Sequence, residues 1–471
     1  MNHRALLVAT IAAYLAGLVV VGWLVRRRQS TFRDYVTGGG RIPGWMLAIS
    51  FLANYVSSNS FVGHASKSYE VGLGWLGVGA VMVACATIAW WVFAPRFARF
   101  AIRTGATTLP DFFDHLWGRR ASRVVAAIVI AGTLLFVLAV LEGTSIVLAE
   151  GLAISKGLAL AVAFGVAVVY AAFGGFWADV STDVVQGVVL MAGAVALFAG
   201  VLFASGGTPA PGHVHPVPVA VVLAAGLGGG LKMLSDPKQV MVFYAFRDEA
   251  SARRFRFLGP LLLLVVYASL LPVGYLARRI VALAPGAKIE TLVPNLAMSG
   301  TVLPDWFAPI FLVALLAASM SSLDSALLIM ASCAEKHFVA PALRREPSPR
   351  RTRVILALLA VVAALLDVDP PDGIIPRTTL AGALVGASLL PSVAAGLFEL
   401  RVGPRAVLAS ISAGATGSIF GYLASKKLAI WGGGKLLESP WCQDVLVGLA
   451  CATAALAAGA WLGSRRPRAR G

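Results

Sequence analysis

Residues 317 to 325 form a run of small and hydroxyl-bearing side chains, which reads Ala-Ala-Ser-Met-Ser-Ser-Leu-Asp-Ser. Within this run Ala318, Ser321, Ser322 and Ser325 follow a helical spacing, so an α-helix places them on one face. A hard cation needs several oxygens in place of its water shell, and adjacent hydroxyls can supply some of them. The competing explanation is helix packing, because small residues and hydroxyls also let membrane helices approach closely.

Two other stretches are too polar or too rich in glycine for an unbroken membrane helix. Residues 43–72 contain Asn54, Ser57, Ser58, Asn59, Ser60 and Gly63, and residues 217–245 contain Gly226, Gly228, Gly229, Gly230 and Asp236-Pro237. We expect both helices to be interrupted. Non-helical backbone at membrane depth is tolerated where it lines a cavity, and paired interrupted helices indicate a transporter binding site. The carbonyl groups of residues 53–56 are then a further source of oxygens for a cation.

The composition indicates that these stretches lie in a membrane protein. The chain has 471 residues, 58% of them apolar and 13% charged, and a mean hydropathy of +0.82. Soluble domains carry about 25% charged residues, so a soluble globule and a disordered chain are both excluded. No phosphate-binding, metalloprotease, hydrolase or dinucleotide motif occurs, so we expect a transporter that needs no organic cofactor rather than an enzyme.

Apolar stretches divide the sequence into about thirteen candidate transmembrane helices. They cover residues 6–25, 43–66, 74–95, 124–149, 156–174, 183–205, 217–240, 257–280, 304–333, 354–368, 379–398, 406–424 and 443–464. Alternate loops on one side, together with the tail, carry 27 of the 39 Lys and Arg residues. Basic residues collect in cytoplasmic loops, so this bias predicts an external N-terminus and a cytoplasmic C-terminus in the cell inner (plasma) membrane. It also explains the net charge of +17 without a nucleic-acid partner.

The order of the spans predicts an internal repeat. Five spans begin with each interrupted helix, and because five is odd the two units must have opposite orientations in the bilayer. We therefore predict an all-α integral membrane protein with a five-plus-five inverted repeat and flanking helices. The predicted divisions are a flanking helix in 1–30, repeats in 43–206 and 217–399, and two flanking helices with a basic tail in 400–471.

Four segments resemble the sodium/solute symporter family, which includes the sodium/proline, sodium/pantothenate and sodium/sugar carriers. They are 35–75 (YVTGGGRIPGWMLAISFLANYVSSNSFVGHASKSYEVGLGW), 108–113 (TLPDFF), 173–175 (FGG) followed by 181–187 (STDVVQG), and 315–328 (LLAASMSSLDSALL). The resemblance covers roughly residues 1 to 465. It implies a LeuT-like fold and solute transport driven by sodium.

The resemblance also implies where the ion binds. The main sodium site would use the backbone carbonyls of Ala53, Val56 and Ala318 and the hydroxyls of Ser321 and Ser322. Asp183 resembles a family position linked to sodium release or to a second sodium site, with Ser325 as its companion. The alternative for Asp183 is a helix cap, because the Ser-Thr-Asp run at 181–183 stands where the predicted span 183–205 begins.

The family's substrate pocket lies between the two interrupted helices, which makes Asn59, Ser60, Lys232, Ser235 and Asp236 the candidate pocket residues. Lys232 and Asp236 are one helical turn apart, so either they pair with each other or one of them meets a charged group of the solute. Family members more often have a neutral Gln or Asn at the position of Asp236. Glu142, His64 and Lys67 could also face the cavity, although His64 and Lys67 lie near a helix end where their side chains can reach the interface.

The leading hypothesis is a sodium-coupled symporter that imports a small organic solute by alternating access. One alternative is a proton-coupled transporter of the same fold, in which Glu142, Asp183 or Asp324 would relay protons. The other is a transporter-like membrane sensor, which would need a separate signalling partner because only six residues follow Arg465. These hypotheses share the fold and differ in the site.

Overall fold

The computed structural model describes residues 3–25, 31–56, 58–152, 154–207, 217–281, 292–304, 306–366, 374–427 and 444–464. Within these ranges the regular secondary structure is helical. The helices are α1 (His3–Val25), α2 (Phe32–Thr37), α3 (Gly44–Tyr55), α4 (Ser58–Val71), α5 (Leu76–Ile88), α6 (Ala94–Thr104), α7 (Leu109–Trp117), α8 (Arg119–Leu152), α9 (Lys156–Ala204), α10 (Val219–Gly230), α11 (Pro237–Tyr244), α12 (Glu249–Arg254), α13 (Leu258–Ala277), α14 (Leu292–Met298), α15 (Ala308–Ala334), α16 (Ala340–Ala342), α17 (Pro349–Leu366), α18 (Ile374–Gly382), α19 (Leu390–Leu397), α20 (Pro404–Lys427) and α21 (Asp444–Ser464).

Eight helical stretches are long and apolar enough to cross a membrane, and the bent pair α10 and α11 can provide a ninth. This finding covers the described residues only, so the count of thirteen remains a prediction. The long helices agree with the predicted multi-pass membrane protein.

Both predicted helix interruptions are confirmed. The helix α3 ends at Tyr55, and Val56 is extended with φ −86 and ψ 102 before α4 begins. In the second case a 3₁₀ turn, Leu231–Leu234, follows α10, and α11 starts after Asp236 with its axis bent by 41°. Pro237 has no backbone N–H and is well placed as the first residue of α11.

One predicted boundary is wrong. The helix α9 does not begin at residue 183: its single non-helical residue is Gly175, with φ 51 and ψ −172, and it continues to Ala204. Asp183 therefore lies about two turns inside the helical segment that follows this break. The interpretation of Asp183 as a helix cap fails for that reason.

The helix α15 is the central element of the described structure. Every side chain from Phe311 to Cys333 is buried, and the helix packs against α8, α9 and α17. The helices α3 and α11 share an aromatic cluster, in which the centre of the Phe51 ring lies 5.3 Å from that of Trp90 and 5.8 Å from that of Phe243. This cluster fixes α3 and α11 relative to each other, and both helices contact α15.

Candidate ion and solute site

The end of α3 meets the hydroxyl-bearing face of α15. Among the described residues, the last backbone hydrogen bond of α3 runs from the N–H of Val56 to the carbonyl of Leu52 over 2.8 Å. The final carbonyls of a helix have no partner within the helix itself. Ser321 Oγ donates to the carbonyl of Ala53 over 2.9 Å and to that of Ala318 over 3.2 Å. Three of the five predicted sodium ligands are therefore in direct contact.

The other two predicted ligands lie beside this contact. Ser322 Oγ is 3.4 Å from the carbonyl oxygen of Asn54, and Val56 is the extended residue of the break. All five predicted residues are fully buried: Ala53, Val56, Ala318, Ser321 and Ser322. A group of neutral carbonyl and hydroxyl oxygens in a dry interior has the chemistry needed to replace the water around a hard cation.

Asn54 connects the break to α9, and the sequence reasoning missed this role. Its side-chain amide donates to Asp183 Oδ2 over 2.9 Å and to Ser50 Oγ over 3.2 Å. Ser50 Oγ in turn donates to the same carboxylate oxygen over 2.5 Å. Asn54 lies in the polar run that predicted the interruption, but no spacing in the sequence joins it to Asp183.

A second carboxylate, Asp179, takes the partner that was expected for Asp183. Ser325 Oγ donates to Asp179 Oδ2 over 2.7 Å, one helical turn before Asp183. A third carboxylate, Asp324, accepts no hydrogen bond from the described residues. These three acids, Asp179, Asp183 and Asp324, are almost completely buried behind the break. The helical spacing of Asp179 and Asp183 was the signal that could have predicted this group.

At the second break, Asp236 serves as a helix cap and does not pair with Lys232. The Asp236 carboxylate caps α11 by accepting the N–H of Lys238 over 2.9 Å. Lys232 forms no hydrogen bond or ion pair with the described residues, and Asp236 and Asp444 act on its ammonium only at longer range. Of the two alternatives for these residues, the mutual ion pair between Lys232 and Asp236 is therefore not formed. The physical reason is that Ser235 and Asp236 leave the helical conformation, so the side chains of Lys232 and Asp236 do not share a helix face.

The remaining pocket candidates differ in what the structure shows of them. Ser235 Oγ donates to the carbonyl of Gly386 over 2.8 Å, and Ser60 is half-buried. The side chain of Asn59 lies outside the described residues. The ammonium of Lys232 lies 5.9 Å from the ring centre of Tyr55, whose hydroxyl donates to the carbonyl of Gly229 over 2.8 Å.

The three further candidates have other contacts. Lys67 is half-exposed and pairs with Glu70 over 2.7 Å. Glu142 forms an ion pair with Arg377, which joins α8 to α18. His64 accepts a hydrogen bond from the indole N–H of Trp75 over 3.2 Å. For Lys67 these contacts agree with a position near a helix end.

Lys238 is not among the candidate residues that the sequence predicted. Its ammonium nitrogen lies 3.3 Å from the carbonyl oxygen of Asn54, so it joins the second broken helix to the first. The residues 236–238 carry no periodic pattern across the break, so sequence spacing gave no signal for this contact.

Comparisons with known proteins agree with this architecture. A sequence model of the sodium:solute symporter family matches residues 35–211 and 208–414. A sodium/pantothenate symporter of Haemophilus influenzae is 25% identical over 432 residues, which cover 85% of this chain and 86% of the relative.

Solved structures show the same fold. A Na⁺-coupled sialic acid symporter in a substrate-bound, outward-open state has a TM-score of 0.79 at 17% identity and covers 98% of this chain and 97% of its own. A nucleobase-cation-symport-1 family transporter has a TM-score of 0.60 at 14% identity, with 92% and 95% covered. The predicted LeuT-like architecture is thus confirmed, and the family match identifies this multi-pass membrane protein as a member of the sodium:solute symporter family.

Proposed function

We propose that this protein uses the inward movement of sodium to import a small organic solute across the plasma membrane by alternating access. The observation that carries the proposal is the contact of Ser321 with the carbonyls of Ala53 and Ala318 at the first break. A cation held there binds α3 and α15 at once. Its arrival and departure therefore favour different arrangements of the two helices.

The main ion site consists of the carbonyls of Ala53, Val56 and Ala318 and the hydroxyls of Ser321 and Ser322. Neutral dipoles bind sodium weakly enough for release into the cytoplasm. One sodium ion entering at about −100 mV gains about 2.3 kcal/mol, which supports roughly fortyfold accumulation of solute before any sodium gradient is added. By linkage, sodium and solute raise each other's affinity by the same factor.

The solute site lies between the two broken helices, and its candidate residues are Asn59, Ser60, Lys232, Ser235 and Asp236. The ammonium of Lys232 has no ion-pair partner within the described residues, which favours a solute with an acidic group. Pantothenate and sialic acid, which the names of two similar proteins give, both carry a carboxylate. The carboxylate of Asp236 is engaged as the cap of α11, so it leaves Lys232 available to the solute.

Asp183 and Ser325 belong to a possible second sodium or release site behind the first. Asp183 is connected to Asn54, and Ser325 is connected to Asp179, so a charge placed here acts on the main site through hydrogen bonds. The orientation with the N-terminus outside and the C-terminus in the cytoplasm rests on the distribution of basic residues.

A proton-coupled transporter of the same fold is the second candidate. It is favoured by one observation: the buried carboxylate of Asp324 accepts no hydrogen bond from the described residues, although Asp179 and Asp183 lie close enough to act on its charge. An ionised carboxylate is costly in such surroundings, and a proton is one means of neutralising it. Solute uptake that persists without sodium and depends on pH would favour this candidate.

The experiment that tests the proposal is a thermal-shift screen of the purified protein against small acids, amino acids and sugars. Each compound is measured in sodium chloride and in choline chloride at equal ionic strength. A bound ligand stabilises the folded state by mass action, so we expect a compound that raises the melting temperature only in sodium. A compound that stabilises the protein equally in both salts would contradict sodium coupling.

A further inference from the structure

Lys238 places a charged group at the end of the first broken helix. It is the second residue of α11, and its side chain is 8% exposed. Its ammonium nitrogen lies 3.3 Å from the carbonyl oxygen of Asn54 and 3.6 Å from the centre of the Phe136 ring. The carbonyl and the aromatic face together hold the cation in the protein interior.

This position is one that attracts cations in general. The final carbonyls of a helix carry a partial negative charge, and basic side chains or bound cations at that end are stabilised. Lys238 shares the carbonyl of Asn54 with Ser322 Oγ, and the adjacent carbonyl of Ala53 accepts from Ser321. The ammonium therefore occupies the same negative end of α3 to which the proposed sodium site belongs.

The charges around Lys238 do not neutralise it through a direct ion pair. Within the described residues no carboxylate lies at ion-pair distance from its ammonium, and Asp236 is engaged as a helix cap. At longer range Asp236 attracts it most, Lys232 repels it, and Asp179 and Asp183 on α9 attract it more weakly. The carbonyl end of α3 is thus the nearest negative group, and a sodium ion at the same end would be repelled by the ammonium.

We propose that Lys238 is a tethered cation that competes with sodium for the end of α3. In the absence of sodium, the ammonium holds α11 against the first break through the carbonyl of Asn54. Sodium binds when the ammonium withdraws, so entry of the ion loosens the direct connection between the two broken helices. The inference rests on the proposed function, because it concerns the affinity of the same ion site.

The test is equilibrium binding of ²²Na⁺ to the purified full-length protein, with choline keeping the ionic strength constant. The variants are Lys238→Met, which removes the charge, and Lys238→Arg, which keeps it. We expect Lys238→Met to lower the half-saturating sodium concentration at least about tenfold, since a nearby like charge is gone. Lys238→Arg should bind sodium no more tightly than the natural protein.

The matched control is Lys67→Met, because Lys67 is half-exposed and already paired with Glu70. Its sodium binding should equal that of the natural protein. If Lys238→Met does not yield a folded protein, Lys238→Gln is the second neutral variant. Should neither neutral variant fold, tighter sodium binding by Lys238→Arg than by the natural protein would overturn the inference.

The outcomes separate this inference from the proposed function. Equal sodium binding by the natural protein and by Lys238→Met would overturn the competition and leave sodium coupling intact. Sodium binding by Lys238→Met alone would support the competition and contradict sodium coupling in the natural protein. Absence of sodium binding in both folded proteins would overturn both proposals.

Discussion

The two broken helices differ in the chemical groups that they present at the break. The first helix ends in carbonyls that accept hydrogen bonds from hydroxyls of α15 and from Lys238. In the second, the carboxylate of Asp236 caps α11, and Lys232 lies in the 3₁₀ turn before it. A helix C-terminus attracts cations, whereas an ammonium such as that of Lys232 attracts anions. The two breaks thus offer chemically opposite groups, which fits the ion and the acidic solute proposed above.

The largest expected effect comes from removing both hydroxyls at the first break. We expect the double variant Ser321→Ala and Ser322→Ala to raise the half-saturating sodium concentration about a hundredfold, since two oxygen ligands are lost. The sodium dependence of solute uptake in proteoliposomes measures this change. Each single variant should raise it by less.

The matched control is Ser319→Ala on the same helix. Ser319 is buried, and its hydroxyl donates to the carbonyl of Leu315 within α15, away from the break. Its sodium dependence should stay at the natural value. An unchanged sodium dependence in the double variant would remove the ion site from the first break.

The next effect concerns the close packing at the second break. A Cβ atom on Gly386 would lie 2.4 Å from Lys232 Cβ and 2.8 Å from Lys232 Cα. We expect Gly386→Ala to lower the free energy of unfolding by about 1–3 kcal/mol, because the backbone of the 3₁₀ turn must shift. Unfolding in detergent mixtures measures it. Gly165→Ala, where a Cβ meets nothing within 4 Å, is the control and should not destabilise the protein.

A smaller effect is expected from removing the ammonium of Lys232. Lys232→Met should raise the half-saturating concentration of an acidic solute about tenfold, since a charge-assisted hydrogen bond is lost. Sodium binding without solute should change much less. Equal uptake of the acidic solute by Lys232→Met and by Lys67→Met would place the recognition of the acid elsewhere.

The smallest expected effect comes from changing Asp236, and it shows whether this carboxylate acts as a helix cap or through its charge. We expect Asp236→Ala to lower the free energy of unfolding by about 1 kcal/mol through loss of the cap of α11, and Asp236→Asn to retain most of it. Thermal unfolding in choline chloride measures both. If Asp236→Asn is as harmful as Asp236→Ala, the charge of Asp236 matters more than its role as a cap.

Local composition was enough to predict the two breaks, because runs of hydroxyls, amides and glycines cannot face lipid as a regular helix. Predicting the contact of Ser321 with Ala53 required more than local composition. Helical spacing placed Ser321 and Ser322 on one face of α15, and only the family resemblance joined that face to the carbonyls of the first break.

The incorrect alternatives have a common physical cause: helical spacing predicts which side chains meet only within one continuous helix, and not across a break. One of the two alternatives paired Lys232 with Asp236 because they are four positions apart, but the chain leaves the helical conformation between them. The alternative role of Asp183 as a cap rested on the Ser-Thr-Asp run, which favours helix starts, whereas Gly175 upstream marks the actual break. Lys238 and Asn54 meet through tertiary packing, which no spacing in the sequence encodes.

The central claim is that sodium binds between α3 and α15, and a pair of cryo-EM maps tests it directly. The natural protein is imaged in high sodium chloride and in choline chloride at equal ionic strength. The account predicts a compact density, present in sodium only, that is bounded by oxygens of Ala53, Val56, Ala318, Ser321 and Ser322. Identical maps at this position in both salts, with Ser321 still donating to the carbonyl of Ala53, would contradict it.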